Sequence, residues 1–310
     1  MNGSAAAGLA LAALCAAALS ACAAAPAAFD PVAMDAPPGD PPAESPDLQF
    51  LSDGAHLNAY AHLAAGAGPH PSVVLLHGFP GNERSLDIAQ AIRRAGWNAF
   101  YFTYRGAWGS GGEFSFGNAL ADVAAVVATL REPEFAAKYR VDPDRIVLLG
   151  HSMGGAAALI SAAELEAVGC VGAMAGANLG ALADRVRESP EAAAESARTF
   201  HAWGEGRVRG VSGEALVEDL LAQPERWRTT THAAALATKP VLLVAGSRDE
   251  VTPPAAHHAP LVAAIEARGG ALLTARVLDD EHQFSSTRVA LTREVLAWLS
   301  ASCAPHLARK

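Results

Sequence analysis

Residues 147–155 read Val-Leu-Leu-Gly-His-Ser-Met-Gly-Gly, an apolar run that ends in Gly150-His151-Ser152-Met153-Gly154. A G-x-S-x-G turn between a strand and a helix pushes the serine hydroxyl out of the sheet and sets it at a helix N-terminus. Serine is a weak nucleophile until a base takes its proton, so the chemistry implied is attack on an acyl carbonyl, with base, acid and oxyanion donors supplied elsewhere. The glycines at 150 and 154 let neighbouring backbone pass a strained turn where a Cβ would collide, and Gly155 relieves crowding further. A five-residue pattern arises by chance in a chain with 28 glycines, so its surroundings decide. Arg145 to Leu149 is short and apolar, as a buried strand is, and Gly155 to Glu166 is Ala-rich without proline, as a helix is.

A base and an acid must reach Ser152. On this kind of turn the chain order is Ser, then Asp or Glu, then His, each just beyond a strand. Val241 to Ala245 is apolar and runs into Gly246-Ser247-Arg248-Asp249, which makes Asp249 the expected acid. Leu272 to Leu278 runs into Asp279-Asp280-Glu281-His282, which makes His282 the expected base. Glu250, Asp279 and Asp280 compete for the acid role, the last two being read as solvated turn charges or charges at a helix start. Among the other histidines, His151 should turn away from Ser152 and pack or hydrogen-bond. His56, His62, His70 and His306 are expected in solvent, and His257 and His258 at a helix start.

An oxyanion needs two converging donors. One is the backbone N–H of Met153, the residue after the nucleophile. The other is expected from the loop His77-Gly78-Phe79-Pro80-Gly81-Asn82 that follows the apolar run Val73 to Leu76. Phe79 has an N–H to offer and Pro80 has none.

These groups require a scaffold that brings strand ends together. Leu48 to Leu51 and His56 to Leu63 form a hairpin pattern about Asp53-Gly54. Strands at 73–76, 97–103, 145–149, 170–174, 241–245 and 272–278 then alternate with helices at 83–95, up to Leu130, 155–166, 257–268 and 285–299. Repeated βα units predict an α/β fold with a mostly parallel central sheet, helices on both faces and reactive groups at the carboxyl ends of the strands. Residues 178–238 break the rhythm as a polar, helix-prone insertion placed where a lid would sit. Phe200, Trp203 and Trp227 within it are candidates to line a pocket or to pack a core.

His77-Gly-Phe-Pro-Gly81, Gly150-His-Ser-Met-Gly154, Gly246-Ser-Arg-Asp249 and Asp280-Glu-His282 together resemble the landmarks of the α/β-hydrolase superfamily over residues 48–302. Tyr104-Arg-Gly-Ala-Trp108-Gly-Ser-Gly-Gly112 is similar to a loop of its prolyl-oligopeptidase-like and dienelactone-hydrolase-like members. The resemblance implies a cofactor-free, metal-free serine hydrolase acting on a small ester or related acyl substrate. The 47 residues before Leu48 do not accommodate the β-propeller of large prolyl oligopeptidases. A small-peptide or amide hydrolase, and a non-catalytic envelope binding protein on the same fold, are the competing expectations.

The rest of the chain speaks to place rather than chemistry. A net charge of -9 and no Lys/Arg cluster with interleaved aromatics exclude a nucleic-acid partner. Residues 1–21 are expected as a signal peptide, and Leu19-Ser-Ala-Cys22 resembles a bacterial lipobox, with Cys22 as the lipidated residue, although Met1-Asn-Gly-Ser4 lacks a basic charge. Residues 22–47, rich in proline, are expected as a disordered tether, and 303–310 as a tail. A bacterial cell-envelope location with membrane anchoring follows, a cytoplasmic one if the start codon lies elsewhere. Cys170 opens an apolar run and is expected as a buried thiol, with pairing to Cys303 left open.

Overall fold

The computed structural model describes residues 29–210 and 212–309. The expected leader and Cys22 lie outside the described residues. The larger of two compact units begins at Pro31.

Eight strands, β1 (Asp47–Ser52), β2 (Ala55–His62), β3 (His70–Leu76), β4 (Asn98–Phe102), β5 (Val141–His151), β6 (Val168–Met174), β7 (Val241–Gly246) and β8 (Leu273–Leu278), form one sheet in the order β1-β2-β4-β3-β5-β6-β7-β8. β1, β2 and β4 pair antiparallel, and every pairing from β4 to β8 is parallel. Between β4-β3 and β3-β5 the strand order reverses. Loops that leave the carboxyl ends of β3 and β5 therefore diverge around a crevice, where ligands bind in open α/β sheets.

Thirteen α-helices lie in the described residues. α1 (Leu86–Arg94) covers one face with the later α12 (Arg288–Trp298), burying Ile88, Ile92, Leu291 and Val295 against Val73, Leu75, Val147 and Leu149. The other face takes α2 (Phe116–Leu130), α3 (Pro133–Tyr139) and α4 (Met153–Glu164). α4 is buried along most of its length, and its run of alanines lets it lie close to the sheet. The insertion is helical as expected: α5 (Leu179–Glu188), α6 (Pro190–Gly204), α7 (Gly213–Ala222), α8 (Pro224–Trp227) and α9 (Ala233–Leu236). α10 (Pro254–His257) and α11 (Ala259–Glu266) follow β7, and α13 (Ala304–Leu307) ends the chain.

Four expectations need correction. Pro31 to Pro46 does not run free: Pro41 O accepts the Gly66 N–H at 2.8 Å, Glu44 bridges to Leu63, and Arg140 pairs with Glu44 at 2.9 Å. The prolines keep this segment from forming helix, yet its carbonyls still find donors on the domain. The expected tail also packs, with Leu307 buried where Gly169 leaves space beside β6. Cys170 is no free thiol: it is disulfide-bonded to Cys303, with Cα atoms 5.9 Å apart. His62, expected in solvent, is buried and bonded to Ser45 Oγ at 3.0 Å.

Candidate active site

β5 delivers its chain into a turn at Ser152, whose φ of 57° and ψ of −123° are left-handed values that cost a non-glycine residue about 1–3 kcal/mol. The surroundings hold it there. Ser152 N–H donates to Met174 O at 3.0 Å, and Ser152 O accepts from Gly155 at 2.9 Å and Ala177 at 3.0 Å. A Cβ on Gly150 would lie 2.0 Å from Gly154 O, and one on Gly154 would lie 2.2 Å from Leu76 O. Only glycine fits either position, as the sequence pattern requires.

Asp249 leaves the end of β7 in a turn that hydrogen-bonds back to Gly246 O at 3.2 Å. Its Oδ1 accepts the Val251 and Thr252 N–H groups, both at 2.8 Å, and its Oδ2 accepts Thr252 Oγ1 at 2.7 Å and His282 Nδ1 at 2.7 Å. Burial works to raise the Asp249 pKa, but the hydrogen bonds from His282 and Thr252 outweigh it and bring it to about 2. An ionised Asp249 directs the Nδ1 proton of His282 toward itself and leaves Nε2 for the cavity that Ser152 also lines. No hydrogen bond joins Ser152 to His282 among the described residues. Such bonds tighten when substrate enters.

The loop after β3 carries Phe79, and Gly78 brings it close: a Cβ there would lie 2.9 Å from Ser152 Cβ. Met153 opens α4, where the first N–H groups have no helical acceptor. Among the described residues neither the Phe79 nor the Met153 N–H donates to a protein acceptor, and both residues border a cavity with Ser152. His77 shapes this loop from below. Its Nδ1 lies 2.7 Å from Gly78 O, and Gly81, at φ 102°, passes so close that a Cβ would meet the ring at 2.5 Å.

The cavity, about 600 Å³, runs from Ser152 and Met153 under α5 and α6. Phe200 and Trp203 line it, whereas Trp227 is buried against Phe116 in the core. The remaining sequence candidates separate cleanly. His151 hydrogen-bonds through Nε2 to His282 O at 2.8 Å, and burial, with the neighbouring His282, lowers its pKa to about 4. Asp280 is buried and accepts the Ser286 and Thr287 N–H groups at 2.8 Å each, a charge at a helix start. Asp279 is exposed beside Arg248, and Glu250 is exposed at the edge of the larger cavity, with no hydrogen bond to His282 among the described residues.

Sequence reasoning missed three residues. Thr252 fixes the Asp249 carboxylate from its own turn. Trp108 donates its indole N–H to Pro80 O at 2.7 Å, bracing the Phe79 loop. His257 accepts the Asn178 N–H at 2.8 Å and lines the cavity. The Asp-x-x-Thr spacing of residues 249–252 carried a signal, since a threonine three residues on can return to a carboxylate. The other two depend on approaches between distant segments. Among the described residues no group of three or more His, Cys, Asp or Glu side chains converges as a metal site would.

Known proteins share this architecture. The chain is 28% identical over 216 residues to the uncharacterised protein YfhR of Salmonella typhi, a match covering 68% of this chain and 66% of that one, just under two thirds. Puromycin hydrolase superposes with a TM-score of 0.63 at 21% identity, covering 86% of this chain and 40% of that chain. Est1E from Butyrivibrio proteoclasticus gives 0.62 at 21%, covering 84% and 99%. The Pyrococcus furiosus esterase Pf2001 gives 0.61 at 16%, covering 87% and 100%. At these identities the structural likeness speaks for the fold. The sequence profile of the alpha/beta hydrolase family matches residues 73–293, most of the larger compact unit and every loop that carries Phe79, Ser152, Asp249 and His282, so the chain belongs to the alpha/beta hydrolase family.

Proposed function

We propose that the chain is a serine hydrolase that cleaves carboxylic esters through Ser152, His282 and Asp249. The observation that carries this reading is the 2.7 Å bond between His282 Nδ1 and Asp249 Oδ2, made beside a cavity that Ser152 and His282 share. His282 Nε2 takes the Ser152 proton as Oγ bonds to the ester carbon, and the Phe79 and Met153 N–H groups hold the tetrahedral oxyanion. The carbonyl re-forms, the C–O bond to the alcohol breaks, and the imidazolium returns its proton to the departing oxygen. Water, deprotonated by the same nitrogen, then adds to the acyl-enzyme and releases the carboxylic acid. Ser152→Ala is expected to abolish both ester turnover and fluorophosphonate labelling. Wild-type turnover by that variant would overturn the reading. Aryl esters assayed beside aryl amides separate an esterase from an amide hydrolase.

The reading extends to location. The buried Cys170–Cys303 disulfide suits an oxidising compartment outside the cytosol, in line with Cys22 as a lipid anchor in the cell envelope. Acyl chains add about 0.8 kcal/mol of membrane affinity per buried methylene. Cys22→Ser is expected to move the protein from the membrane to the soluble fraction, and an unchanged distribution would count against the anchor.

A further inference from the structure

Ser152 borders two cavities of opposite character. The larger, about 600 Å³, carries Arg185, Glu188, Glu195 and Glu250 at its exposed edge, and its buried lining is the apolar set Phe116, Met153, Leu179 and Phe200 with half-buried Phe79. The smaller, about 380 Å³, is edged by Asn82, Glu83, Arg207 and Gln283 together with His282. Phe79, Trp203 and Val251 border both, so the serine stands at the waist between them.

Proton delivery assigns the two halves of a substrate. The leaving oxygen must receive its proton from His282, which borders only the smaller cavity. Met153, whose N–H faces the oxyanion, borders only the larger one. The leaving alcohol therefore occupies the polar side and the acyl group the apolar side. In the smaller cavity the Glu83 carboxylate is already held by Arg288 at 3.4 Å and by the Ser85 N–H, the Arg207 guanidinium already donates to the Trp203 and Glu205 carbonyls at 3.1 and 3.3 Å, and the amides of Asn82 and Gln283 each offer donors and acceptors. That set matches hydroxyl groups, which also do both, better than it matches an anion or a cation. An acetyl group would leave most of the larger cavity unfilled, whereas each methylene buried there adds about threefold or more in binding.

Resting on the assignment of Ser152 as nucleophile, we infer that the substrate is an ester joining an apolar acyl chain of medium length, lodged under α5 and α6, to a neutral polyhydroxylated alcohol held by Asn82, Arg207 and Gln283.

The test crosses two substrate series with two variants. Wild type should favour 4-nitrophenyl octanoate over the acetate in kcat/KM by at least about tenfold, and glycerol monooctanoate over butyl octanoate by a similar factor. Leu182→Trp, which fills the apolar cavity from α5, should collapse the acyl ratio and keep the alcohol ratio. Gln283→Leu, at an exposed position, should collapse the alcohol ratio and keep the acyl ratio. Ala181→Trp serves in place of Leu182→Trp if that variant does not fold. Wild-type ratios near one, or variants that move the opposite ratio, overturn the inference while leaving the hydrolase reading intact. Failure to turn over any of the four esters, with no fluorophosphonate labelling of Ser152, overturns the hydrolase reading itself and this inference with it.

Discussion

Trp108 reaches from the glycine-rich loop after β4 to Pro80, donating its indole N–H to that carbonyl at 2.7 Å. Its ring is covered by Arg84, whose guanidinium carbon lies 4.8 Å from the ring centroid. Its backbone N–H donates to Arg207 O at 2.9 Å, in the helical insertion. One residue thus ties the loop bearing Phe79 to the segment that roofs the cavity. Arg105 anchors the same loop from the other side through a buried pair with Asp122, at 2.6 Å.

Trp108→Phe keeps the aromatic body and the contact with Arg84 but removes the donor. The Phe79 loop should loosen without losing the substrate cavity. Expected is a fall in kcat of about tenfold with KM nearly unchanged, less than the hundred- to thousandfold typical of losing an oxyanion donor outright. Steady-state kinetics on one activated ester checks it. A rise in KM at constant kcat would assign Trp108 to substrate binding instead of loop positioning.

Thr252 and Asp249 form a graded pair. Asp249→Asn removes the charge that orients His282 and is expected to lower kcat by about four orders of magnitude. Thr252→Val keeps the side-chain volume and the backbone donor while deleting the hydroxyl 2.7 Å from Asp249 Oδ2. A hydrogen bond to a charged group contributes about 1.5–3 kcal/mol, so a tenfold or somewhat larger loss of kcat is expected. In the double variant the threonine effect should shrink, because the shortest bond of its hydroxyl is to the carboxylate, while its contacts with Ala175 O at 3.1 Å and His282 Nδ1 at 3.3 Å remain. Additive losses would show that Thr252 works by another route.

The Cys170–Cys303 bond closes a loop of 133 residues across β6 and the C-terminal helices. Loops of this length stabilise by about 2–5 kcal/mol when cross-linked. Cys303→Ser should lower the denaturation free energy by that amount and leave kcat nearly unchanged, because Cys170 lies four residues before Met174, the end of β6 that holds the Ser152 turn. Urea unfolding of the two proteins, with activity measured at low urea, tests both halves.

What was legible in the sequence follows from range. The turn at Ser152 is specified by five consecutive residues, and its glycines stand where backbone atoms would meet a Cβ. Asp249 and His282 were legible because each sits directly beyond an apolar strand, in a fixed order. Helix starts were less so. The helix expected from Glu83 begins at Leu86, because Arg84 is held over Trp108 and Glu83 Oε1 takes the Ser85 N–H at 2.5 Å. The helix expected from Ser285 begins at Arg288, because buried Asp280 captures the Ser286 and Thr287 amides first. Trp108, His257 and the disulfide lay beyond reach because each joins segments tens of residues apart, and no local pattern records such an approach. Pro31 to Pro46 misled for the opposite reason: composition excluded helix correctly but says nothing about hydrogen bonds to a neighbouring domain.

The last prediction concerns pH and uses two buried histidines. Burial lowers His77 from 6.5 to about 4, with Arg84 adding to the shift and the bond to Gly78 O opposing it. His151 is lowered to about 4 as well, first by burial and then by His282. Between 6.5 and 4 the unfolded chain binds protons that the folded chain refuses, so stability must fall as pH drops through that window. At pH 5 each histidine is expected to cost about 2 kcal/mol relative to pH 7.5, as an upper figure. Asp249 acts the other way round in range: its stabilisation is complete above 3.8 and is lost only as pH falls toward about 2, outside the window. Urea unfolding at pH 7.5 and 5 should therefore show a clear loss for the wild type. His77→Asn, which keeps a donor for Gly78 O, should reduce that loss, and His151→Asn should reduce it independently. Equal stability at the two pH values would mean that neither ring is held neutral in the fold, and that the loop beneath Phe79 is open to water.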